Sequence, residues 1–410
     1  MAQTLRIGAA LLSLVLGGWS AHVCGATALA GPQCRAATGF RYASAEQAFE
    51  RLLALTQARL ELMETVAAWK WWQGVAVIDR EREAVVIDDA VAYAEQLGFT
   101  PGPVRRWFEL QIGWAQELQR RWHEQWRIDG APRQPAPDLA DSIRPQLDRI
   151  GHELLLAAYR ARPELESPLL YSRYRARTLQ ALHRLQEPAA ADELLAILAS
   201  MRSVRVAALA RIRASGILRI GTTGDYPPFS SDEHGRLEGV DVDLGSELAR
   251  ALGVEPYFVP TSWPQLIADL QASHFDVALS GITVTPQRAR VGSFSLAYFR
   301  GGKAAIVRCG EEGALDTLAE IDSPEVRVVV NPGGTNEAFA RSQLARAQLL
   351  IHPDNRTIFE EILRHRADVM ITDDIEIELQ TRRHAGLCRS SPDTFTTDAK
   401  AILMPQDVAL

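Results

Sequence analysis

The periodicity of the apolar residues changes once along this chain. From about Ala43 to Leu198 they recur at helical spacing, with few runs that could form strands. The proline-rich loop GAPRQPAPD at 130–138 breaks the helices. From about Ile217 onward short β-rich runs alternate with helical ones: ILRIGTT, DVDLGSELARAL, PYFVPTS, PQLIADLQ and FDVALSGI, then VRVVVNPG, EAFARSQLARA, LLIHP, IFEEILRH and ADVMITD. Strand and helix in turn predict an α/β architecture with parallel sheet. The chain, at 410 residues too long for one ordinary core, is therefore multidomain: an all-α domain followed by an α/β domain, joined near residues 200–207.

The first thirty residues form a separate unit. Arg6 precedes the apolar run IGAALLSLVLGGW, and ATALA offers small-residue cleavage sites after Ala28 or Ala30. The apolar run is too short to span a bilayer, so residues 1–30 read as a secretory signal, followed by a flexible lead over 31–41. An acylated Cys24 is a weaker alternative, because Val23 precedes it poorly. Export predicts a periplasmic or secreted protein with no membrane attachment after cleavage. It also makes sense of four cysteines. Cys24 leaves with the signal, Cys309 and Cys388 share the last third and are expected to pair, and Cys34 is left odd. The alternative is that all are reduced.

A formal net charge of −7 gives no basic field, which excludes nucleic acid as a partner and leaves small anionic ligands open. Nine histidines and four cysteines have no paired ligand spacing, so no metal and no redox cofactor is implied. Nothing excludes a homo-oligomer.

The segment from Arg59 to Val86, RLELMETVAAWKWWQGVAVIDREREAVV, mixes Trp69, Trp71 and Trp72 with Lys70 and the charge run DRERE. Arg59 and Lys70 are eleven residues apart, which brings them to nearly the same face of a helix, three turns from one another. Asp79, Arg82 and Glu83 share a face at the start of the next helix. Gln119 in FELQIGWAQELQ and Arg144 in DSIRPQLD have the spacing to line the same bundle. Taken alone, DRERE reads as a solvated helix face and the tryptophans as core.

Order and spacing together are more specific. Arg-x10-Lys, then Asp nine and Arg twelve residues beyond the lysine, resembles the helical AroQ-type chorismate mutases; export and a domain of about 155 residues point to their secreted gamma class, over residues 42–195. On that resemblance Arg59, Arg82 and Arg144 hold the two carboxylates of chorismate, Lys70 and Gln119 contact the ether oxygen of the breaking bond, and Asp79 and Glu83 hold the substrate hydroxyl. The chemistry suits the residue types. A pericyclic rearrangement needs no nucleophile, metal or proton transfer. It needs a folded dianion and a cation aimed at the oxygen on which charge grows. The tryptophans are expected to supply the dry wall of the pocket. Ala115 stands where the family often has a hydroxyl residue, which leaves one carboxylate contact without its usual donor.

In the second half TTGDYPPF, LEGVDVDL, TSWPQL and SGITVTPQRARVGSFSLAY occur in the order of type-II periplasmic solute-binding proteins, whose fold is two α/β lobes around a cleft. In that family the Thr-x-x-Arg element, here Thr285 to Arg288, offers a guanidinium to a ligand carboxylate. NPGGTN, with Gly333, Gly334 and Thr335, stands between a strand and a helix, where backbone N–H groups receive an anion. A nucleotide phosphate loop is excluded because no lysine follows in the required place.

TTGDYPPF, PTSWPQL, IVRCGEEG, VNPGGTNEAFAR, HPDNRTIF and MITDDIE further resemble cyclohexadienyl dehydratase, from about residue 206 to the end. That resemblance implies conversion of prephenate to phenylpyruvate, and of arogenate to phenylalanine, by joint loss of water and carbon dioxide. Chorismate mutase makes prephenate, so the two domains would catalyse consecutive steps. The dehydratase needs an acid that stays protonated, and Glu376 of TDDIE matches the family's proposed one; without the motif it reads as a helix-start carboxylate. Arg288, Gly334, Thr335 and Asn336 are implied at the carboxylates, and Tyr226 and Trp263 at the ring. Ser280, Gly281, Thr283, Lys303, Asn331, Asp373 and Lys400 are implied along the cleft. Family members continue past the strand of ILMPQDVAL with one or two helices, so apolar surface on the first lobe is expected to be exposed. The alternative reading is a chorismate mutase fused to a non-catalytic solute-binding or sensing module.

Overall fold

The computed structural model describes residues 40–132, 137–202 and 206–406. The expected leader, its cleavage sites, Cys24, Cys34 and most of the lead lie outside the described residues.

Two helices, α1 (Ala45–Glu61) and α2 (Met63–Gln73), run on through Leu62, whose backbone stays right-handed helical, so Arg59 and Lys70 keep one register. Gly74, at φ 64°, ends α2 in the left-handed conformation that favours glycine. The Asp79 carboxylate then caps α3 (Arg80–Gln96), accepting from Arg82 N at 3.1 Å. A long α4 (Pro101–Asp129), with proline in its first turn, crosses the bundle. A π-type turn, Leu139–Ile143, leads into α5 (Arg144–Arg160), followed by α6 (Arg162–Leu165), α7 (Leu170–Ala181) and α8 (Ala189–Ala199). Phe49, Leu52, Trp107, Phe108, Leu154 and Tyr174 lie at the centre of one apolar core.

A short α9 (Ala208–Ser215) leads into the first α/β lobe: β1 (Ile217–Thr222), the ribbon β2 (Asp225–Tyr226), β3 (Ser230–Glu233) and β4 (Arg236–Glu238), then α10 (Val240–Leu252), β5 (Glu255–Pro260), α11 (Leu266–Gln271), β6 (Val277–Ala278), α12 (Pro286–Ala289) and β7 (Gly292–Phe294). The chain crosses on β8 (Phe299–Gly301) to the second lobe. That lobe contains β9 (Lys303–Arg308), α13 (Leu318–Ile321), β10 (Arg327–Val330), α14 (Thr335–Gln343), β11 (Gln348–Ile351), α15 (Ile358–Leu363), β12 (Val369–Asp373), α16 (Asp374–Arg383) and β13 (Leu387–Arg389). It returns on β14 (Asp398–Lys400), antiparallel to β8, and ends lobe one's sheet with β15 (Leu403–Pro405). The β8–β14 pair forms the two-stranded connection between the lobes.

The sheets, ordered β5-β1-β6-β15-β7 and β11-β10-β12-β9-β13, are mixed rather than parallel. Where strands and helices alternate, β1 pairs parallel with β5 and β6, and β10 with β11 and β12. The strands next to a crossing break the pattern: β15 lies antiparallel to β6 and β7, and β9 antiparallel to β12 and β13. A chain entering a sheet from the other lobe has no crossover helix to reverse it. Cys309, just past β9, is disulfide-bonded to Cys388 on β13.

Phe40, at the end of the lead expected over 31–41, is anchored rather than flexible. Phe40 bridges to Leu237, Ala43 N donates to Phe258 O at 2.7 Å, and the rings of Phe40 and Phe258 lie 5.2 Å apart. The start of the helical domain is thereby sewn to lobe one. A buried electrostatic cluster adds to this junction. Asp276 accepts from Arg211 at 2.8 Å and from Arg219 at 2.7 Å, and Arg219 lies over the ring of Tyr159 on α5, 4.8 Å from its centroid. Tyr93 on α3 donates to Ala214 O at 3.2 Å.

Candidate functional sites

The helical bundle encloses a cavity of about 110 Å³, and Arg59, Lys70, Asp79, Arg82, Glu83, Gln119 and Arg144 all line it. Five helices contribute: α1 and α2 give Arg59 and Lys70, the start of α3 gives Arg82 and Glu83, α4 gives Gln119, and the first residue of α5 is Arg144. Arg82 pairs with Asp148 at 2.5 Å and Arg144 with Asp79 at 3.2 Å. Glu83 accepts from Gln116 at 2.8 Å. Arg59 and Lys70 have no ion pair among the described residues. Arg59 reaches the Leu147 carbonyl at 3.5 Å and leaves its Nε without a partner; Lys70 donates to the Val77 carbonyl. Burial lowers the Arg59 pKa to about 10, with Asp148 opposing, and lowers that of Lys70, with Asp79 and Glu83 opposing. Two buried cations without a carboxylate of their own make this a receptor for anions. Gln119 donates to the Ala115 carbonyl at 3.0 Å, and its Oε1 is buried without a partner.

The tryptophans do not enclose this cavity. Its apolar wall is aliphatic, formed by Met63, Val66, Val77, Val86, Ile112, Ala115, Leu139 and Leu147. With Lys70 pointing inward, the helical period turns its neighbours aside. Trp71 stacks edge-on against Trp126 with centroids 6.0 Å apart, Trp69 packs on the bundle core, and Trp72 is half exposed. Gln116 and Asp148, which orient Glu83 and Arg82, were not foreseen; their roles arise from contacts between helices.

The second site lies between the α/β lobes, which meet across it. Tyr226 of lobe one donates its phenol hydrogen to Asp373 of lobe two, and Asn355 Nδ2 reaches back to Asp225 O at 2.9 Å. Gly333, at φ 75°, sits so close to Pro264 that a Cβ would stand 2.7 Å from its backbone nitrogen. The remaining cavity, about 20 Å³, is lined by Tyr226, Trp263, Gly281, Thr283, Asn331, Gly334, Thr335, Asn336, Asn355, Asp373 and Lys400. The Trp263 ring stands edge-on to Tyr226 at 5.7 Å, its N–H donating to Asp225 at 3.1 Å. Asn355, inside the HPDNRTIF run, was not singled out from the sequence; its Oδ1 is buried without a partner.

Ser280, Arg288, Lys303 and Glu376 stand one layer back from this cavity, while Lys400 lines it. Ser280 is fully buried among Thr222, Thr223 and Ser230. Arg288 donates to the Thr283 carbonyl at 3.0 Å and lies 6.0 Å from the Trp263 ring centroid; burial lowers its pKa to about 10, with Asp373 opposing. Lys303, far from solvated, donates to Asp373 at 2.8 Å. Lys400, on the connecting strand β14, donates to Asp373 and, at 2.8 Å, to Thr283. Burial alone would raise the Asp373 pKa, but the two lysines hold it well below the usual carboxylate range.

Glu376, in the first turn of α16, accepts from Thr372, whose hydroxyl also accepts from Asn336 at 3.0 Å. Its other oxygen has no partner. Burial pushes its pKa up to about 8, against the Thr372 hydrogen bond and with the help of the Asp373 charge. A neutral carboxylic acid beside several fixed cations is an arrangement that can deliver a proton to an anionic substrate.

Comparison with known proteins agrees with this division. Residues 48–120 match the chorismate mutase type II family, and residues 218–394 match bacterial extracellular solute-binding proteins, family 3. Cyclohexadienyl dehydratase of Pseudomonas aeruginosa is 48% identical over 223 residues, covering 53% of this chain and 83% of that protein. An L-cystine-binding protein of Escherichia coli K12 is 30% identical over 40% of this chain and 62% of its own length. A solved ancestral amino acid-binding protein, described as a precursor of cyclohexadienyl dehydratase, aligns over 49% of this chain and 86% of its own at 31% identity, with a TM-score of 0.46. Among the described residues no helix is long and apolar enough to cross a membrane. This chain belongs to the cyclohexadienyl dehydratase family, on the extracellular solute-binding-protein fold, and carries a chorismate mutase type II domain ahead of it.

Proposed function

We propose that the protein is a bifunctional enzyme that rearranges chorismate to prephenate in the helical domain, residues 42–200, and converts prephenate to phenylpyruvate, or arogenate to phenylalanine, in the α/β domain from residue 206 onward. In the first step Arg59, with Arg82 and Arg144, holds the two carboxylates of a folded dianion. Lys70 and Gln119 meet the ether oxygen as its C–O bond breaks and the new C–C bond forms, and Asp79 and Glu83 fix the hydroxyl. No proton moves. The cations stabilise charge that develops only in the transition state.

In the second step Glu376 gives its proton to the ring hydroxyl, which leaves as water. The bond to the ring carboxylate breaks, carbon dioxide departs, and its electron pair completes the aromatic ring. Glu376, left as a carboxylate, regains a proton from solvent. Arg288 and the backbone around Gly334 and Thr335 hold the carboxylates, and Tyr226 and Trp263 flank the ring. Lys303 and Lys400 keep Asp373 ionised and the cleft cationic. Substrate enters by opening of the lobes about β8 and β14, and closure excludes water. The protein acts in the periplasm or outside the cell, delivered by the leader at residues 1–30.

The observation that carries the dehydratase reading is Glu376, buried and held neutral near pH 7 beside the Lys303–Asp373–Lys400 cluster. It also favours an enzyme over a module that only binds, since binding an anion does not call for a neutral acid. The test is Glu376→Gln supplied with prephenate. An enzyme loses turnover by about 10²–10⁴-fold, the usual contribution of a general acid, while still binding the substrate. Unchanged turnover would remove Glu376 from the mechanism.

A further inference from the structure

A third cavity, larger than either proposed active site at about 440 Å³, lies where the helical domain meets lobe one. Its lining comes from both sides: Ser44, Gln47 and Arg51 at the start of the bundle, Glu153 and Arg160 on α5, and Tyr257 on β5. Ala48, Leu156 and Ala157 complete an apolar floor. Ligand sites form preferentially at such domain junctions and in this size range.

The charges in it do not cancel. Glu153 is taken by Arg51 at 2.5 Å. Arg160 has no ion pair among the described residues; its guanidinium lies over the Tyr257 ring, 5.6 Å from the centroid, and its Nε is buried without a hydrogen-bond partner. Two arginines against one glutamate leave a surplus of one positive charge, on a group whose planar fork matches a carboxylate. The stacked phenol ring fixes that fork and supplies a flat apolar wall beside it.

We propose that this junction is a second ligand site, taking a small monocarboxylate with a planar apolar body. Arg160 receives its carboxylate, Tyr257 and the Ala48–Leu156–Ala157 floor its ring, and Gln47 any polar substituent. An occupant touches the helical domain and lobe one together, so it braces their docking. The choice of probes rests on the function proposed above, but the measurement is binding and does not depend on turnover.

The experiment is calorimetric titration of the full chain carrying Arg288→Met, which disables the cleft's carboxylate clamp, with phenylpyruvate, L-phenylalanine and benzoate in turn. One equivalent of at least one probe binds at submillimolar concentration, and the tightest of the three identifies whether a 2-oxo, 2-amino or bare acid is preferred. Adding Arg160→Met weakens that binding by about tenfold or more, the loss expected for one charge-assisted pair. Arg160→Lys, which keeps the charge but not the fork, restores part of the affinity, so a general folding defect is distinguished from loss of the receptor. With Arg288 intact, Arg160→Met leaves chorismate turnover unchanged. Absence of binding by all three probes, or equal affinity in the Arg160→Met and Arg160→Lys proteins and their parent, would overturn the assignment.

Discussion

Asp373 and Glu376 stand one helical turn apart at the start of α16 and are held in opposite ionisation states. Asp373 occupies the position just before the helix with both carboxylate oxygens taken by cations, Oδ1 by Lys303 at 2.8 Å and Oδ2 by Lys400, and stays ionised far below the usual range. Glu376 faces inward without a cation of its own, and burial raises its pKa to about 8. Two carboxyl groups pushed apart in this way divide the work: one fixes charge, the other holds a proton.

The pH dependence follows from that division. In the proposed mechanism the acid form of Glu376 is the active one, so the dehydratase rate should fall as pH rises through about 8, while the mutase step, which moves no proton, should not share that limb. The stability consequence has the same direction. With a folded pKa above the ordinary value of 4.5, Glu376 contributes stability that is fully present below 4.5 and is lost as pH rises through about 8. Asp373 acts oppositely: its contribution is present above the ordinary carboxylate value and is lost as pH falls well below it. Rates on prephenate and on chorismate measured from pH 6 to pH 10 would check the first claim; parallel profiles would contradict it.

In the proposed mechanism Lys70 is the cation that meets the ether oxygen. Lys70→Met should lower kcat for chorismate by about 10²–10³-fold, the size of losing one preorganised electrostatic donor, with a smaller change in KM. Prephenate conversion should be untouched. A change confined to KM would instead assign Lys70 to ground-state binding.

The helical site was legible because one helix run carries Arg59 and Lys70 and the next begins on Asp79, so linear spacing translates directly into a shared wall. What could not be read was the wall's composition. Trp69, Trp71 and Trp72 look like an enclosure in the sequence, yet each points away once Lys70 points in. Gln116 and Asp148 matter only through partners on other helices, Glu83 and Arg82, and no spacing rule connects them. In the α/β half, the alternation located the long strands. It did not mark the three-residue strands β7, β8 and β14, which are too short to show a period, nor the antiparallel entry of β9 and β15 that makes the sheets mixed. The family motifs brought ten of the proposed residues to the cleft's lining, while Asn355 was passed over and Ser280 and Lys303 lie behind the surface they were expected to form. Phe40 escaped notice because its partner, Leu237, is far away in sequence.

Asp276 is the one carboxylate for two buried arginines, Arg211 and Arg219, at the junction of the halves. Asp276→Ala leaves both unpaired and should cost about 3–5 kcal/mol. Because Arg219 also carries the Tyr159 contact from α5, the two domains should lose their shared unfolding transition, visible by calorimetry as two endotherms. A single transition at the original temperature would show the docking to rest on the apolar contacts alone.

The Cys309–Cys388 disulfide closes a loop spanning 79 positions within lobe two. Cys309→Ser with Cys388→Ser should destabilise that lobe by about 2–5 kcal/mol. On heating, prephenate turnover should fail before chorismate turnover does. Simultaneous loss of both activities would contradict this placement of its effect.

The central claim is that one chain performs two consecutive reactions, and it is tested most directly by supplying the purified protein with chorismate alone and following products by mass spectrometry. The account predicts transient prephenate followed by phenylpyruvate, and with Glu376→Gln an accumulation that stops at prephenate. Phenylpyruvate formed at the same rate by the Glu376→Gln protein, or chorismate left unchanged by the parent, would contradict it.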